Sequence, residues 1–170
     1  DTPVIPHLYE EHGLEFAARL SGMFALALWD RRTERLVLAR DRVGKKPLLW
    51  TTLPDGTLAF ASELKALLRL PELRRELDLD AVDAYLALQY VPGNRTPLRG
   101  IKKLPPGHRL VWEDGRATVE RWWEPRPAEP SETDAEWLER VRDTVSAAVR
   151  RRLVAAVPQH VIDVRRQRLG

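Results

Sequence analysis

Cysteine is absent from all 170 residues. That excludes disulfides and thiolate metal sites, and it excludes a thiol nucleophile. Methionine is nearly absent: Met23 is the only one, and the chain opens on Asp1. The expectation from such an opening is a fragment of a longer protein. Long apolar runs are also missing. No segment reaches the roughly 20 residues of a membrane span, and no secretory leader pattern is visible, so a cytoplasmic location without membrane contact is expected. Charge of one sign is scarce too. The net charge is +3, with 28 Lys and Arg interspersed among 25 Asp and Glu. Only Arg150-Arg151-Arg152 and Arg165-Arg166-Gln167-Arg168 are one-sidedly basic. The helix dipole favours cations near helix C-termini, so no nucleic-acid partner is expected. The nine glycines form no phosphate-binding loop: Gly44-Lys45-Lys46 lacks the upstream Gly and the following Ser or Thr of a P-loop. The four histidines are His7, His12, His108 and His160. The first two are five apart, the wrong spacing for two ligands on one helical face, and no metal site is expected.

What is present is enough for a core. A 44% hydrophobic share with 31% charged residues is normal for a globular chain. The length fits one domain, or one domain plus part of a second. Val4, Ile5, Leu8 and Tyr9 sit at helical spacing, with Pro6 in the first turn and Gly13 as the stop. Leu14 to Leu20 reads as a second helical segment. Met23 to Trp29 and Leu36 to Ala39 flank a polar turn and predict a β-hairpin. Leu48 to Thr52 and Leu58 to Ala61 predict another around Pro54-Asp55-Gly56, since Asp-Gly supplies positive φ. Ser62 to Leu70 reads as a helix with Ser62 as N-cap. Leu79, Val82, Leu86 and Gln89 mark a further helix, capped by Asp78 or Asp80. Residues 91–106 are a Pro- and Gly-rich loop. His108 to Trp112 and Thr118 to Trp123 flank Glu113-Asp114-Gly115, a third hairpin. Pro125, Pro127 and Pro130 indicate a linker. Thr133 and Glu136 then form a capping box, and Leu138, Val141, Val145, Ala148 and Leu153 share one face of a long helix.

Three clusters invite a catalytic reading, and each has a structural one beside it. Arg40, Asp41 and Lys46 read as a buried Arg–Asp pair that locks a hairpin end, with Gly44 allowing a tight turn. Ser62 has no neighbouring His and no elbow motif, so a cap is favoured over a nucleophile. Glu63 and Lys65 lie two apart and would not face each other on a helix. Trp112, Trp122 and Trp123 read as core and edge residues of a hairpin.

Several segments resemble one known family, in order. They are Asp1-Thr2-x-Val4-Ile5 with His7-Leu8-Tyr9-Glu10, the strand Gly22 to Asp30, and Arg40-Asp41-x-x-Gly44-x-Lys46-Pro47-Leu48. Ala61-Ser62-Glu63-Leu64-Lys65-Ala66-Leu67, Lys103-Leu104-Pro105-Pro106-Gly107-His108 and Trp122-Trp123 follow, and then Arg151-Arg152-Leu153-Val154-x-x-Val157-Pro158. The chain resembles the glutamine-dependent asparagine synthetases over residues 1 to about 158. The resemblance implies an α+β fold: part of an N-terminal-nucleophile αββα sandwich, built of β-hairpins with flanking helices, plus a C-terminal helix. It divides the chain into the rear of a glutaminase domain (1–124), a linker (125–132), and the first helix of a synthetase domain with a divergent tail (133–170).

The parent reaction implied is ATP + aspartate + glutamine to asparagine + glutamate + AMP + pyrophosphate, with ATP and Mg²⁺ serving the second domain. In this chain no catalytic, cofactor-binding or metal residue is assigned. The family's N-terminal cysteine has no counterpart, and the Ser-Gly-Gly-x-Asp-Ser type loop expected after Val157-Pro158 does not follow. Glutamine, aspartate and ATP are the parent's substrates, and a homo-oligomer is an open expectation. Asp1 is the one position the resemblance marks as substrate-binding, as partner of glutamine's α-ammonium group; capping the following helix is the alternative. Pro3 and Pro6 depart from the family pattern there. The expectation for the chain alone is no activity, with unpaired strands and uncovered apolar faces. A related amidotransferase acting on another carboxylate, or a non-catalytic interaction domain, are the other readings.

Overall fold

The computed structural model describes residues 3–126 and 133–153. The chain divides into two units, Asp1–Pro125 and Arg126–Gly170. The expected linker falls mostly, and the divergent tail entirely, outside the described residues.

The first unit is built on β-hairpins. β1 (Ala25–Asp30) pairs with β2 (Arg35–Arg40), β3 (Leu49–Thr52) with β4 (Leu58–Ala61), and β6 (His108–Glu113) with β7 (Arg116–Arg121), all antiparallel. The turn chemistry fits. Gly56 has φ 86°, and Asp114 and Gly115 have φ 50° and 71°, the pair of positive values a two-residue hairpin turn requires. A two-residue strand, β5 (Lys102–Lys103), lies inside the stretch read as loop. The strands form two sheets, β1-β2-β6-β7 and β4-β3-β5.

Alternation along the central strands stacks these sheets into layers, because successive side chains point to opposite faces. On β2, Leu38 packs with Leu48, Trp50, Leu104 and Leu110 between the two sheets. Its neighbours Val37 and Ala39 pack on the other face, against Phe16, Ala17 and the side chains of the N-terminal helices. On β3, Trp50 faces the inter-sheet layer, whereas Leu49 joins Leu53, Leu67, Leu98 and Ile101 on the far side. Val37, Leu38 and Ala39 are all 0% exposed, and so β2 reads as an uninterrupted apolar run. The order is helix, sheet, sheet, helix: α+β with the expected αββα layering.

The helices match expectation unevenly. α1 (Val4–His12) has Pro6 in its first turn, as predicted, and ends at Gly13 with φ 55°. Leu14 to Leu20 is a short 3₁₀ turn, Gly13–Glu15, followed by α2 (Phe16–Arg19). α3 is shorter than predicted, Leu64–Leu67, with Glu63 and not Ser62 at the N-cap. Glu63 is extended, which brings its carboxylate 2.7 Å from Lys65 Nζ; these two residues pair because they do not share a helix. α4 (Leu79–Leu88) begins as predicted with Asp78, whose carboxylate accepts from Ala81 N. Its buried residue is Ala81, while Leu79 and Leu86 are 66% and 74% exposed. The cap, not the apolar stripe, anchors this helix: Asp78 also binds Arg95, and its N–H donates to Pro97 O.

The second unit holds α5 (Asp134–Leu153), started by the predicted capping box. Thr133 N donates to Glu136 Oε2, and Glu136 N to Thr133 Oγ1.

The return of the chain to the first sheet depends on Gly107. Its φ is +64°, and a Cβ there would lie 2.6 Å from Trp123 O, a backbone atom that cannot swing away. Gly107→Ala is expected to destabilise the first unit by roughly 2 kcal/mol or more, read as a lowered denaturation midpoint in urea at unchanged slope. Leu38→Ala should cost about 3 kcal/mol by opening a cavity between the sheets.

Candidate functional site

The chain passes between the sheets twice, through residues 41–48 and 104–107, and the two crossings are stitched together. Leu104 N donates to Leu48 O at 2.8 Å. Arg40, at the end of β2, donates to Gly44 O, Lys46 O and Leu104 O at 2.6–2.7 Å. Asp41 is 1% exposed. Its carboxylate accepts from the N–H groups of Val43, Lys45 and Lys46 at 2.9–3.2 Å. Its carbonyl accepts from Gly44 N and Gly107 N, and its own N–H donates to Phe24 O.

This arrangement corrects the sequence reading of Arg40, Asp41 and Lys46. Arg40 and Asp41 do not form an ion pair with one another; each satisfies backbone groups instead, and their attraction acts through space. Burial lowers the Arg40 guanidinium from its ordinary range, an effect the nearby Asp41 charge opposes. For Asp41, burial pushes the carboxyl upward, but the N–H groups of Lys46, Lys45 and Val43 outweigh it and hold the pKa below the usual carboxylate range. The expected role of Gly44 holds. It has φ +66°, and a Cβ would meet Pro106 Cγ at 2.8 Å and Arg40 Cζ at 3.1 Å.

A groove of about 930 Å³ opens beside this knot. Its walls come from β1 and the residues before it (Met23 to Ala27), from Lys46 and Pro47 of the first crossing, and from Ser62 and Glu63 just after β4. Ile5 of α1 also lines it. The two motifs most specific in the sequence, 40–48 and 61–67, thus meet at one end of the sandwich. Sequence reasoning assigned Lys46, Ser62 and Glu63 to separate local roles. The signal that could have joined them is the hairpin between the motifs, which returns the chain to the place it left. Arg42 reinforces the floor: it donates to Ala18 O and Leu20 O and lies 5.4 Å over the Trp122 ring, which stacks on Phe24.

Asp1, the one residue marked as substrate-binding, lies outside the described residues. The N-cap position of α1 is Pro3.

The Gly44-Lys45-Lys46 loop does not fit a nucleotide phosphate. The N–H groups that a phosphate would need in the Gly44-Lys45-Lys46 loop are taken by Asp41, and no three His, Asp or Glu side chains converge among the described residues. No described helix is long and apolar enough to cross a membrane.

Residues 1–123 match the family described as glutamine amidotransferase domain. The chain is 32% identical over 162 residues to asparagine synthetase [glutamine-hydrolyzing] 3 of Bacillus subtilis, covering 93% of this chain and 26% of that protein. It is 43% identical over 123 residues to a putative asparagine synthetase [glutamine-hydrolyzing] of Mycobacterium tuberculosis, covering 69% and 19%. It is 45% identical over 130 residues to asparagine synthetase [glutamine-hydrolyzing] 2 of Bacillus subtilis, covering 72% and 17%. The chain belongs to the glutamine amidotransferase domain family, and it spans about a quarter or less of the length of these relatives.

Replacing Asp41 by Ala would strand three N–H groups in a closed loop, and a loss of roughly 3 kcal/mol is expected. Because the folded pKa of Asp41 lies below its unfolded value, its contribution is complete above about pH 4 and fades as acid takes the pH down through the folded pKa. Thermal melts followed by circular dichroism should be flat from neutral pH to about pH 5 and fall below about pH 4. The fall should be shallower, though not abolished, in Asp41→Asn, since Asp30, Asp55, Asp78 and Glu136 are also held low by hydrogen bonds.

Proposed function

We propose that this chain is scaffold from the glutamine-handling part of an asparagine synthetase, and that alone it does not hydrolyse glutamine. One juxtaposition carries the reading: a four-layer core closed around the Arg40–Asp41 knot, with a groove where residues 46–47 and 62–63 meet, in a chain with no thiol. Releasing ammonia from glutamine by this chemistry takes a nucleophile with an adjacent base. Nothing in the groove wall supplies the pair: Lys46 and Ser62 come from different segments with no hydrogen bond between them, and Ser62 has no histidine near it in sequence. Lys46 and Glu63 line the groove, the Glu63 carboxylate already paired with Lys65, so the groove's own chemistry is recognition rather than bond cleavage. Asp1 stands four residues before Ile5 in sequence, and Ile5 lines the groove. We assign to Asp1 the glutamine α-ammonium group, which a carboxylate binds through charge-assisted hydrogen bonds.

Aspartate, ATP and Mg²⁺ belong to the rest of the parent reaction, which yields asparagine, AMP and pyrophosphate in the cytoplasm. The missing thiol also favours a second reading, a domain that keeps the scaffold for interaction alone.

Ammonia release from glutamine by the purified chain is expected to stay at background; turnover would overturn the scaffold reading. Grafting residues 1–123 in place of the matching segment of Bacillus subtilis asparagine synthetase 3 separates the two readings. A glutamine-hydrolysing chimaera supports the amidotransferase scaffold, and an inactive but folded one supports the interaction domain. In an active chimaera, Asp1→Ala should raise KM for glutamine about tenfold or more, the worth of a charge-assisted hydrogen bond.

A further inference from the structure

One wall of the groove, Leu20 to Phe24, belongs to no helix or strand. It runs from the end of α2 to the start of β1. Its backbone is tied at the two ends: Leu20 N donates to Ala17 O, and Phe24 O accepts from Asp41 N. Among the described residues, no hydrogen bond holds the backbone of Ser21, Gly22 or Met23. The shape of the wall therefore depends on where its ends are held.

Arg42 holds both ends. Its guanidinium donates to Leu20 O at 2.7 Å and to Ala18 O at 2.8 Å. α2 is only four residues long, and the last carbonyls of a helix have no partner within it. The same guanidinium lies 5.4 Å from the centroid of the Trp122 ring. Trp122 in turn stacks on Phe24, with centroids 6.2 Å apart and ring planes 17° apart. Leu20 is thus gripped by a hydrogen bond and Phe24 through an indole. Arg42 is not among the described residues that line the groove. Its own place is inherited from the knot, because its chain neighbours are fixed there: Asp41 N is bound to Phe24 O, and Val43 N to the Asp41 carboxylate. Lysine is a poor substitute, since an ammonium has no planar fork for two carbonyls and no flat face for an indole.

We propose that Arg42 is a positioning residue for the groove: it sets the Leu20–Phe24 wall, and through that wall the affinity for glutamine, without touching the ligand. This rests on the glutamine reading of the groove. A wall fixed before the ligand arrives has little freedom left to lose on binding, whereas a loose wall must be ordered at the expense of affinity.

The test uses the full 170-residue chain, labelled with carbon-13 at the methionine methyl. Met23 is the only methionine, lies in this wall and is 47% exposed. Once the initiating residue of the expressed chain is removed, a single methyl signal in the NMR spectrum reports the wall alone. Adding L-glutamine to the wild type should move that signal saturably. Arg42→Ala should narrow the signal, shift it toward its position in the urea-unfolded chain, and weaken glutamine binding about tenfold. A circular dichroism melt separates a loosened wall from an unfolded chain. If Arg42→Ala does not fold, Arg42→Lys carries the test. It keeps the stem and the charge, and should still weaken binding about threefold.

An unchanged Met23 signal in Arg42→Ala overturns the proposal. So does a loosened wall with unaltered glutamine affinity, which leaves Arg42 a structural residue only. An Arg42→Lys chain that binds like the wild type also overturns it, since charge alone would then suffice. A different failure is a wild-type signal that glutamine does not move, while Arg42→Ala still loosens the wall. That result overturns the glutamine reading of the groove, and this proposal with it.

Discussion

A single buried carboxylate holds the first unit together. Asp41 sits where the chain leaves the first sheet for the second, and its oxygens gather the N–H groups of Val43, Lys45 and Lys46. Its backbone ties that turn to Phe24 before β1 and to Gly107 before β6. Arg40 does the complementary work on carbonyls, reaching Gly44, Lys46 and Leu104. One side chain collects donors and its neighbour collects acceptors, so an irregular crossing between sheets leaves few polar groups unpaired. That matters because buried backbone groups without partners are costly. The layering of the core, with β2 and β3 each feeding two faces, is possible only because this crossing has a fixed shape.

The same knot explains why the two most specific sequence motifs belong to one place. Residues 40–48 form the crossing, and residues 61–67 begin where β4 returns beside it. Lys46, Pro47, Ser62 and Glu63 therefore share a groove wall without being neighbours in the chain. A hairpin between two motifs acts as a caliper: its two equal arms set where the second motif lands.

What could be read from the residues was mostly local and covalent in origin. Asp55-Gly56 and Asp114-Gly115 announced hairpins because few other dipeptides tolerate those backbone angles. Pro6 fixed the start of α1, Asp78 the start of α4, and Thr133 with Glu136 the start of α5. Errors came where a side chain had two equally good local partners. Ser62 could cap a helix, but it lies in the bend after β4 and Glu63 took the cap position. Arg40 and Asp41, adjacent and opposite in charge, suggested an ion pair, yet adjacent side chains at a strand end point apart and found backbone instead. β5 was invisible, since two lysines carry no strand signature; only the edge of β3 makes them a strand. Long-range facts were also out of reach, such as Arg109 meeting both Glu15 and Glu120 across two elements. The candidate groove needed three separate segments brought together, and no periodicity encodes that.

Asp41 has one further consequence. Many loops of this shape wait for a phosphate or sulfate to arrive and complete them, and their form then follows the buffer. Here the anion is bolted to the polypeptide. Dialysis cannot remove it, competing ions cannot outnumber it at so short a tether, and added salt reaches it poorly behind 1% exposure. The turn is therefore set at synthesis rather than by its surroundings, and the proton is the one solute small enough to unmake it.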